Sequence, residues 1–410
     1  MTAPPQRVML PLTLLVTMTA SAYQIFVFAV LASPLIDDLD LSRTQIGVVG
    51  SINTAVGATT ALLTGPLTDR IGARRSVVLV LAISAVGMAA MGVAPNVWWL
   101  GVAAVIGGIP QGWGNPATNA VISSRVPAGR RGSVTGIKQS GVTLGVFLSG
   151  ATMPIIASTW NWRVSVWFYA ALFALIAIVA HATLDRDPAA AATAPTDRRS
   201  IDAPAVPGRT SVDRRIVRLA AYALLMGTAG GAVGRFFPLF AEESVGFSLE
   251  TAGLLTALAG LLGMGVRVLV GRWAETWIAP TRLLGLLSAV GVVYCLSLAA
   301  ATPSTSWLLW ISPPLSAIGI AAWNAVAMLA VITFVAVSQA GRASGVVMLG
   351  FLGGLTISAP IAGVVVDQTG DYRPVWLIAA ALAAAAAALM LVTTPSDDAE
   401  HVHPEPTVGT

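Results

Sequence analysis

Charge is scarce in this 410-residue chain: Asp, Glu, Lys and Arg together make up 10% of it, less than half of what a soluble domain carries. A water-soluble globule is excluded. Cysteine is scarcer still, with Cys295 the single copy, so no disulfide can close within the chain. Three histidines occur, of which His401 and His403 lie in a polar tail, and nowhere do His, Cys, Asp and Glu gather at metal-ligand or catalytic spacing. No enzyme and no cofactor are expected. Lysine occurs once, as Lys138, and none of the 19 acids falls in the middle of an apolar run.

What the chain has instead is apolar length. Hydrophobic residues make up 56%, and about 20 of them in a row cross a bilayer core as a helix. Twelve such runs are present: Met9–Leu31, Thr44–Leu67, Ser76–Ala94, Trp98–Ile122, Val134–Ala157 and Val164–Leu184, then Ile216–Phe240, Leu249–Trp273, Leu283–Ala301, Trp307–Val331, Ala343–Val366 and Val375–Val392. The expected class is an all-α membrane protein of twelve transmembrane helices in two six-helix bundles. These bundles occupy 1–184 and 216–394. Between them, 185–215 is rich in Pro, Ala and opposite charges, as a linker is, and 395–410 is a polar tail expected to be disordered.

Orientation follows from the arginines, because short loops rich in Lys and Arg stay in the cytoplasm. Arg7, Arg70, Arg74, Arg75, Arg125, Arg130, Arg131, Arg272, Arg282 and Arg342 fall on one side, with the basic linker; Arg43, Arg163 and Arg373 fall on the other. Both termini are therefore expected in the cytoplasm. The formal net charge of +4 is this bias and implies no nucleic-acid partner. Arg7 before an apolar run that includes Ala20-Ser21-Ala22 has the look of a secretory leader, but the run continues to Leu31.

Between the second and third runs stands Gly65-Pro66-Leu67-Thr68-Asp69-Arg70-Ile71-Gly72-Ala73-Arg74-Arg75. A weaker echo, Gly271-Arg272-Trp273-Ala274-Glu275, returns 206 positions later, and the same offset maps Ser42 on Ser248, Gly47 on Gly253 and Gly57 on Gly263. A duplicated half explains this. The first stretch resembles the signature loop between helices 2 and 3 of the major facilitator superfamily. Trp162-Arg163 and Tyr372-Arg373, opening helices 6 and 12, strengthen the resemblance. It implies a secondary transporter of the cell membrane, multi-pass and expected as a monomer in the lipid bilayer, whose two halves rock about a central substrate. Asp69 is expected to latch onto the N-terminus of helix 11, near Gly341-Arg342-Ala343-Ser344, where free amides and the helix dipole favour an anion. Gly65, Asp69, Arg70, Gly72 and Arg74 form this latch with Arg342; Gly271 and Glu275 repeat it against the start of helix 5.

Inside the apolar runs, two cations stand out. Lys138 shares a helical stripe with Gly141, Gly145, Ser149 and Thr152, and Arg267 ends another stripe of Gly253, Thr256, Gly260 and Gly263. An ionised group at a helix centre costs roughly 2.5–3.5 kcal/mol, so two of them facing one cavity call for an anion. Snorkelling toward carbonyls or lipid phosphates is the alternative for both. Arg267 also resembles the substrate-binding arginine of the nitrate/nitrite porters and the oxalate/formate exchanger. Ala61 departs from the nitrate pattern on helix 2, and helix 11 lacks the lysine of the oxalate pattern. Gln111, Asn115 and Asn119 step along one face of helix 4, and with Trp113, Tyr23, Gln24, Trp323 and Asn324 they are expected to line the cavity. Interhelical hydrogen bonding is as good an account of any single Asn.

The expected substrate is a small organic or inorganic anion, balanced by a coupling ion such as a proton or by a counter-anion. The rival is an efflux pump for amphipathic drugs or a natural product. Such pumps resemble the Gln111-Gly112 pair, but Gly108 stands where their arginine would be and no acid lies at mid-depth. Arg235 is expected at the outer rim, as an outer-gate or interface residue, and Glu242, Glu243 and Asp367 near the outer surface, each dispensable for coupling.

Overall fold

The computed structural model describes residues 4–184, 213–335 and 337–392. Every regular element among them is helical. The first half contains α1 (Pro4–Val30), a short α2 (Ala32–Leu39), α3 (Arg43–Ile71), α4 (Ala73–Gly92), α5 (Val97–Arg125), α6 (Arg131–Thr159) and α7 (Trp162–Thr183). The second contains α8 (Arg214–Glu243), α9 (Leu249–Thr276), α10 (Pro280–Ala300), α11 (Ser312–Ser316), α12 (Trp323–Phe334), α13 (Val337–Thr369) and α14 (Arg373–Leu391). The tail and almost all of the linker fall outside the described residues; Asp213 N-caps α8, which starts at Arg214.

Local chemistry sets the helix ends. Ser42 and Gln45 form a capping box at the start of α3, and Ser248, its equivalent in the repeat, accepts from the Thr251 amide at the start of α9; a hydroxyl oxygen there satisfies an otherwise orphaned amide. Gly72, at φ 93°, turns the chain from α3 directly into α4, a conformation that glycine adopts without strain.

Among the described residues, eleven helical segments are long and apolar enough to span a membrane. The expected fourth span is α5, 29 residues long but diluted by Gln111, Asn115 and Asn119. The expected tenth span is broken. A 3-10 stretch (Pro303–Leu309), α11, a π turn (Ala317–Ala321) and α12 replace one continuous helix. Pro313 and Pro314 carry no amide hydrogen, and Gly319 lies so close to α10 that a Cβ would stand 2.5 Å from the Gly291 nitrogen.

The duplication is visible in the packing. α1 packs on α6 as α8 packs on α13, and α4 packs on α7 as α10 packs on α14. Between halves, α3 meets α13 and α6 meets α9, the pair of contacts that a two-fold relation requires. Gly47 and Gly253, one pair that the 206-residue offset relates, sit at these crossings. A Cβ on Gly47 would be 2.4 Å from the Ala359 carbonyl oxygen, and one on Gly253 would be 2.5 Å from that of Gly150. Backbones touch there, and any side chain would part them.

Candidate functional site

The interface between halves has two ends, distinguished here as the linker face, where α7 ends and α8 begins, and the far face. At the far face a clasp joins the halves. Asp367, near the end of α13, accepts from the Arg43 and Thr44 amides at 3.0 and 2.9 Å and from the Thr44 hydroxyl at 2.6 Å. A carboxylate thus sits on the N-terminus of α3, where the helix dipole favours it. Beside it, Arg43 pairs with Glu243 at 2.8 Å, and the Tyr372 hydroxyl donates to the same carboxylate at 2.6 Å. Phe236, Leu239, Phe240 and Trp376 of the second half belong to the same buried apolar cluster as Leu31 and Leu35 of the first. Glu243 and Asp367 therefore join the halves, a role their loop-edge positions in the sequence did not reveal.

The linker face is parted. Asp69 is exposed and has no hydrogen-bond or ion-pair partner among the described residues. Gly65 on α3, Gly136 on α6, Gly271 on α9 and Gly345 on α13 each have open space where a Cβ would stand. The side chains of Glu275 and Arg342 lie outside the described set. The expected seat of the latch needs correction: α13 begins at Val337, so amides at 341–344 are inside the helix rather than at its free end. Arg70 is exposed, and Arg74 donates to the His181 carbonyl, tying α4 to α7 within one half.

Lys138 is 1% exposed and points into its own half rather than toward α9. Its stripe packs on α1: a Cβ on Gly141 would be 2.2 Å from the Leu15 carbonyl oxygen, and one on Gly145 would be 3.2 Å from Phe26. The ammonium donates to Asn115 Oδ1 at 3.1 Å, Thr118 Oγ1 at 3.1 Å and Asn119 Oδ1 at 2.5 Å. Three donors meet three neutral oxygens, and no carboxylate takes part. Because an ammonium only donates, it fixes both amides with oxygen inward. Their Nδ2 groups, on two exposed residues, are turned outward as donors backed by a positive charge.

Arg267 is turned elsewhere. Its Nε donates to the Ala321 carbonyl at 3.2 Å, one of the acceptors that the broken helix between α10 and α13 leaves unmatched. The two cations are thus committed to different halves: Lys138 to α5, Arg267 to the break before α12. The single cavity that both are expected to face gives way to these separate engagements.

The remaining lining residues divide. Tyr23 is buried and stacks on Tyr169 with ring centroids 4.4 Å apart. Gln24 donates to the Gly87 carbonyl and accepts from Asn53 at 2.9 Å each. Trp113 donates to Thr68 at 2.8 Å, and Trp323 packs edge-on against Tyr222. All four are interior to a bundle, where an aromatic or amide gains more from helix partners than from a cavity. Gln111, whose Oε1 has no partner, and Asn324, within 3.7 Å of Met348 Sδ, keep free polar capacity. Arg235, expected at the outer rim as an outer-gate or interface residue, lies eight residues, about 12 Å, inside the far end of α8, which runs on to Glu243, and its side chain meets the other half there.

Two repeated six-helix units meet along α3–α13 and α6–α9, closed at one face and parted at the other. The chain belongs to the Major Facilitator Superfamily, whose sequence profile matches residues 12–336. It is a multi-pass membrane protein, and its relatives are transporters rather than enzymes. Among them are the gentisate transporter of Corynebacterium glutamicum, 27% identical over 69% of this chain and 65% of that protein, and a probable nitrate/nitrite transporter of Mycobacterium tuberculosis, 30% identical over 65% of this chain and 66% of that protein. The chain thus spans just under two thirds of the gentisate transporter's length. A solved D-xylose-proton symporter superposes with a TM-score of 0.76 at 17% identity, covering 94% of this chain and 97% of its own, which shows the twelve-helix, two-domain fold.

Proposed function

We propose that this chain moves a small anion, carboxylate-like in its charged group, across the cell membrane by alternating access, with the linker face in the cytoplasm. The observation that carries this reading is the Lys138 site: a buried ammonium with no counter-ion among the described residues that turns the amide donors of Asn115 and Asn119 outward. Donors of this kind suit an anion in a partly dry site. Arg267 and Asn324 supply the facing wall from the second half, Gln111 lies one turn from Asn115, and Tyr23, Gln24, Trp113 and Trp323 hold the frame behind them. The relatives matched over more of the chain are named for anions, gentisate, nitrate/nitrite and sulfoacetate over 69%, 65% and 86% of it, while a hexuronate and a glucose transporter match over 33% and 31%.

In the state that opens the far face, Asp69 is the group that closes the linker face, against the end of α13 that starts at Val337. No acid of the described residues lies at mid-depth, so charge balance rests on a proton carried with the substrate or on exchange for another anion. Proteoliposome uptake of radiolabelled gentisate, sulfoacetate and nitrate, against glucose, tests the reading. Saturable uptake of an acid, lost in Lys138→Ala, supports it; uptake of glucose with none of the acids refutes it.

A further inference from the structure

Arg235 is a buried charge that the account so far leaves unused. It is 6% exposed and reaches from α8 in the second half into the first. Its Nη1 donates to the Ile25 carbonyl on α1 at 2.9 Å, and its guanidinium lies against Gly50 on α3, where a Cβ would stand 2.3 Å from Cζ. That hydrogen bond is its single one among the described residues, and Nε has no partner.

No acid among the described residues pairs with it: Glu242, seven residues on along α8, has a buried Oε1 without a hydrogen-bond partner, and three others at this end are engaged elsewhere. Asp38 holds Arg163 and accepts from Trp162. Glu243 holds Arg43 and accepts from Tyr372. Asp367 sits on the α3 N-terminus. A guanidinium does not shed its proton, and a buried, unneutralised charge is costly. A residue of this kind is retained for a counter-ion that comes and goes.

The unused donors have a shape. Nε and Nη2 form the edge of the guanidinium whose two parallel N–H bonds match the two oxygens of a carboxylate, while Nη1 is the corner held by Ile25. In this state Nε is sealed, so the edge becomes available only when α8 separates from α1 and α3.

Resting on the anion reading above, we propose that Arg235 is the carboxylate anchor of the opposite state, in which the far face is open. There its Nε–Nη2 edge takes the charged group of the substrate. In the state seen here, the Gly50 notch and the Ile25 carbonyl hold the same guanidinium in reserve. A pin that merely ties the halves together would make different demands, because then any change that breaks the tie would act alike.

The test is equilibrium binding of radiolabelled gentisate, sulfoacetate and nitrate to purified protein carrying Arg235→Gln, Arg235→Lys or Gly50→Ala. Arg235→Gln keeps a donor but loses the charge and the fork, and is expected to weaken binding about tenfold or more; Arg235→Lys should weaken it less. Gly50→Ala pushes the guanidinium off its seat and leaves the fork whole, so it should bind at least as tightly as wild type. Equal weakening by Gly50→Ala and Arg235→Gln would show a pin and overturn the proposal, as would Arg235→Gln binding within about twofold of wild type. Should Arg235→Gln fail to purify as a monodisperse species, Arg235→Lys against Gly50→Ala makes the same comparison. Wild type that binds none of the three acids would instead remove the anion reading, and the anchor with it.

Discussion

The two ends of α3 each carry an acid–helix problem, and they solve it differently. At its first turn, the amides of Arg43 and Thr44 receive Asp367 from the other half. At its last turn, Asp69 is exposed and unengaged among the described residues. Since α3 is one helix of 29 residues, it cannot close at one end without swinging away at the other unless α13 bends with it. The comparison therefore describes a lever: what is bonded at the far face in this state is what must be released in the next, and the free acid at the linker face is what must then be bonded.

The largest effect should come from the fulcrum. Gly253→Leu places a side chain where backbones meet, with no flexible neighbour to yield, and is expected to abolish uptake while leaving insertion intact. Uptake above about a tenth of wild type at matched protein levels would show that the α6–α9 crossing is looser than its geometry. Next is Asp367→Asn, which removes the charge from the α3 N-terminus. A charge at a helix end is worth about 0.3–1 kcal/mol when exposed and up to about 2 when partly buried, so the far-face-closed population should fall several-fold. Accessibility of a cysteine placed at Thr44 to a membrane-impermeant thiol reagent reads this directly; Cys295, the chain's own thiol, is buried.

A smaller effect is expected for Arg43→Ala. Its pair with Glu243 is partly exposed, and such pairs contribute roughly 0.2–1 kcal/mol. High salt should mimic the substitution, and accessibility at Thr44 that is indifferent to salt would remove the pair from the clasp. The smallest effect on this state belongs to Asp69→Asn, which breaks nothing here. It should slow transport by weakening the opposite state, with Thr44 accessibility unchanged or reduced. A rise in that accessibility would contradict the lever.

Much of this was legible in the sequence because its causes are local. The apolar runs announce the spans, and the residues repeated at a fixed offset, Ser42 and Ser248 among them, announce the duplication. What failed was direction. The stripe from Lys138 through Gly141 and Gly145 is small and polar whether it faces a cavity or packs on α1, and composition does not separate the two. Depth failed for a related reason: Arg235 falls near the end of the apolar run Ile216–Phe240, whereas α8 continues to Glu243 and so places it inside the far end. The clasp was invisible because Asp367 and the α3 N-terminus are brought together only by the packing of one half on the other.

The lever is tested most directly by measuring both faces at once. Spin labels at Trp160 and Trp307 report the far face, and labels at Arg130 and Trp277 report the linker face; all four positions are exposed. Pulsed electron resonance distances are then compared between the otherwise wild-type background and Asp367→Asn. The account predicts opposite shifts, with the far-face pair moving apart as the linker-face pair draws together. A far-face pair that lengthens while the linker-face pair stays fixed would mean that the two ends move independently, and the account would be wrong.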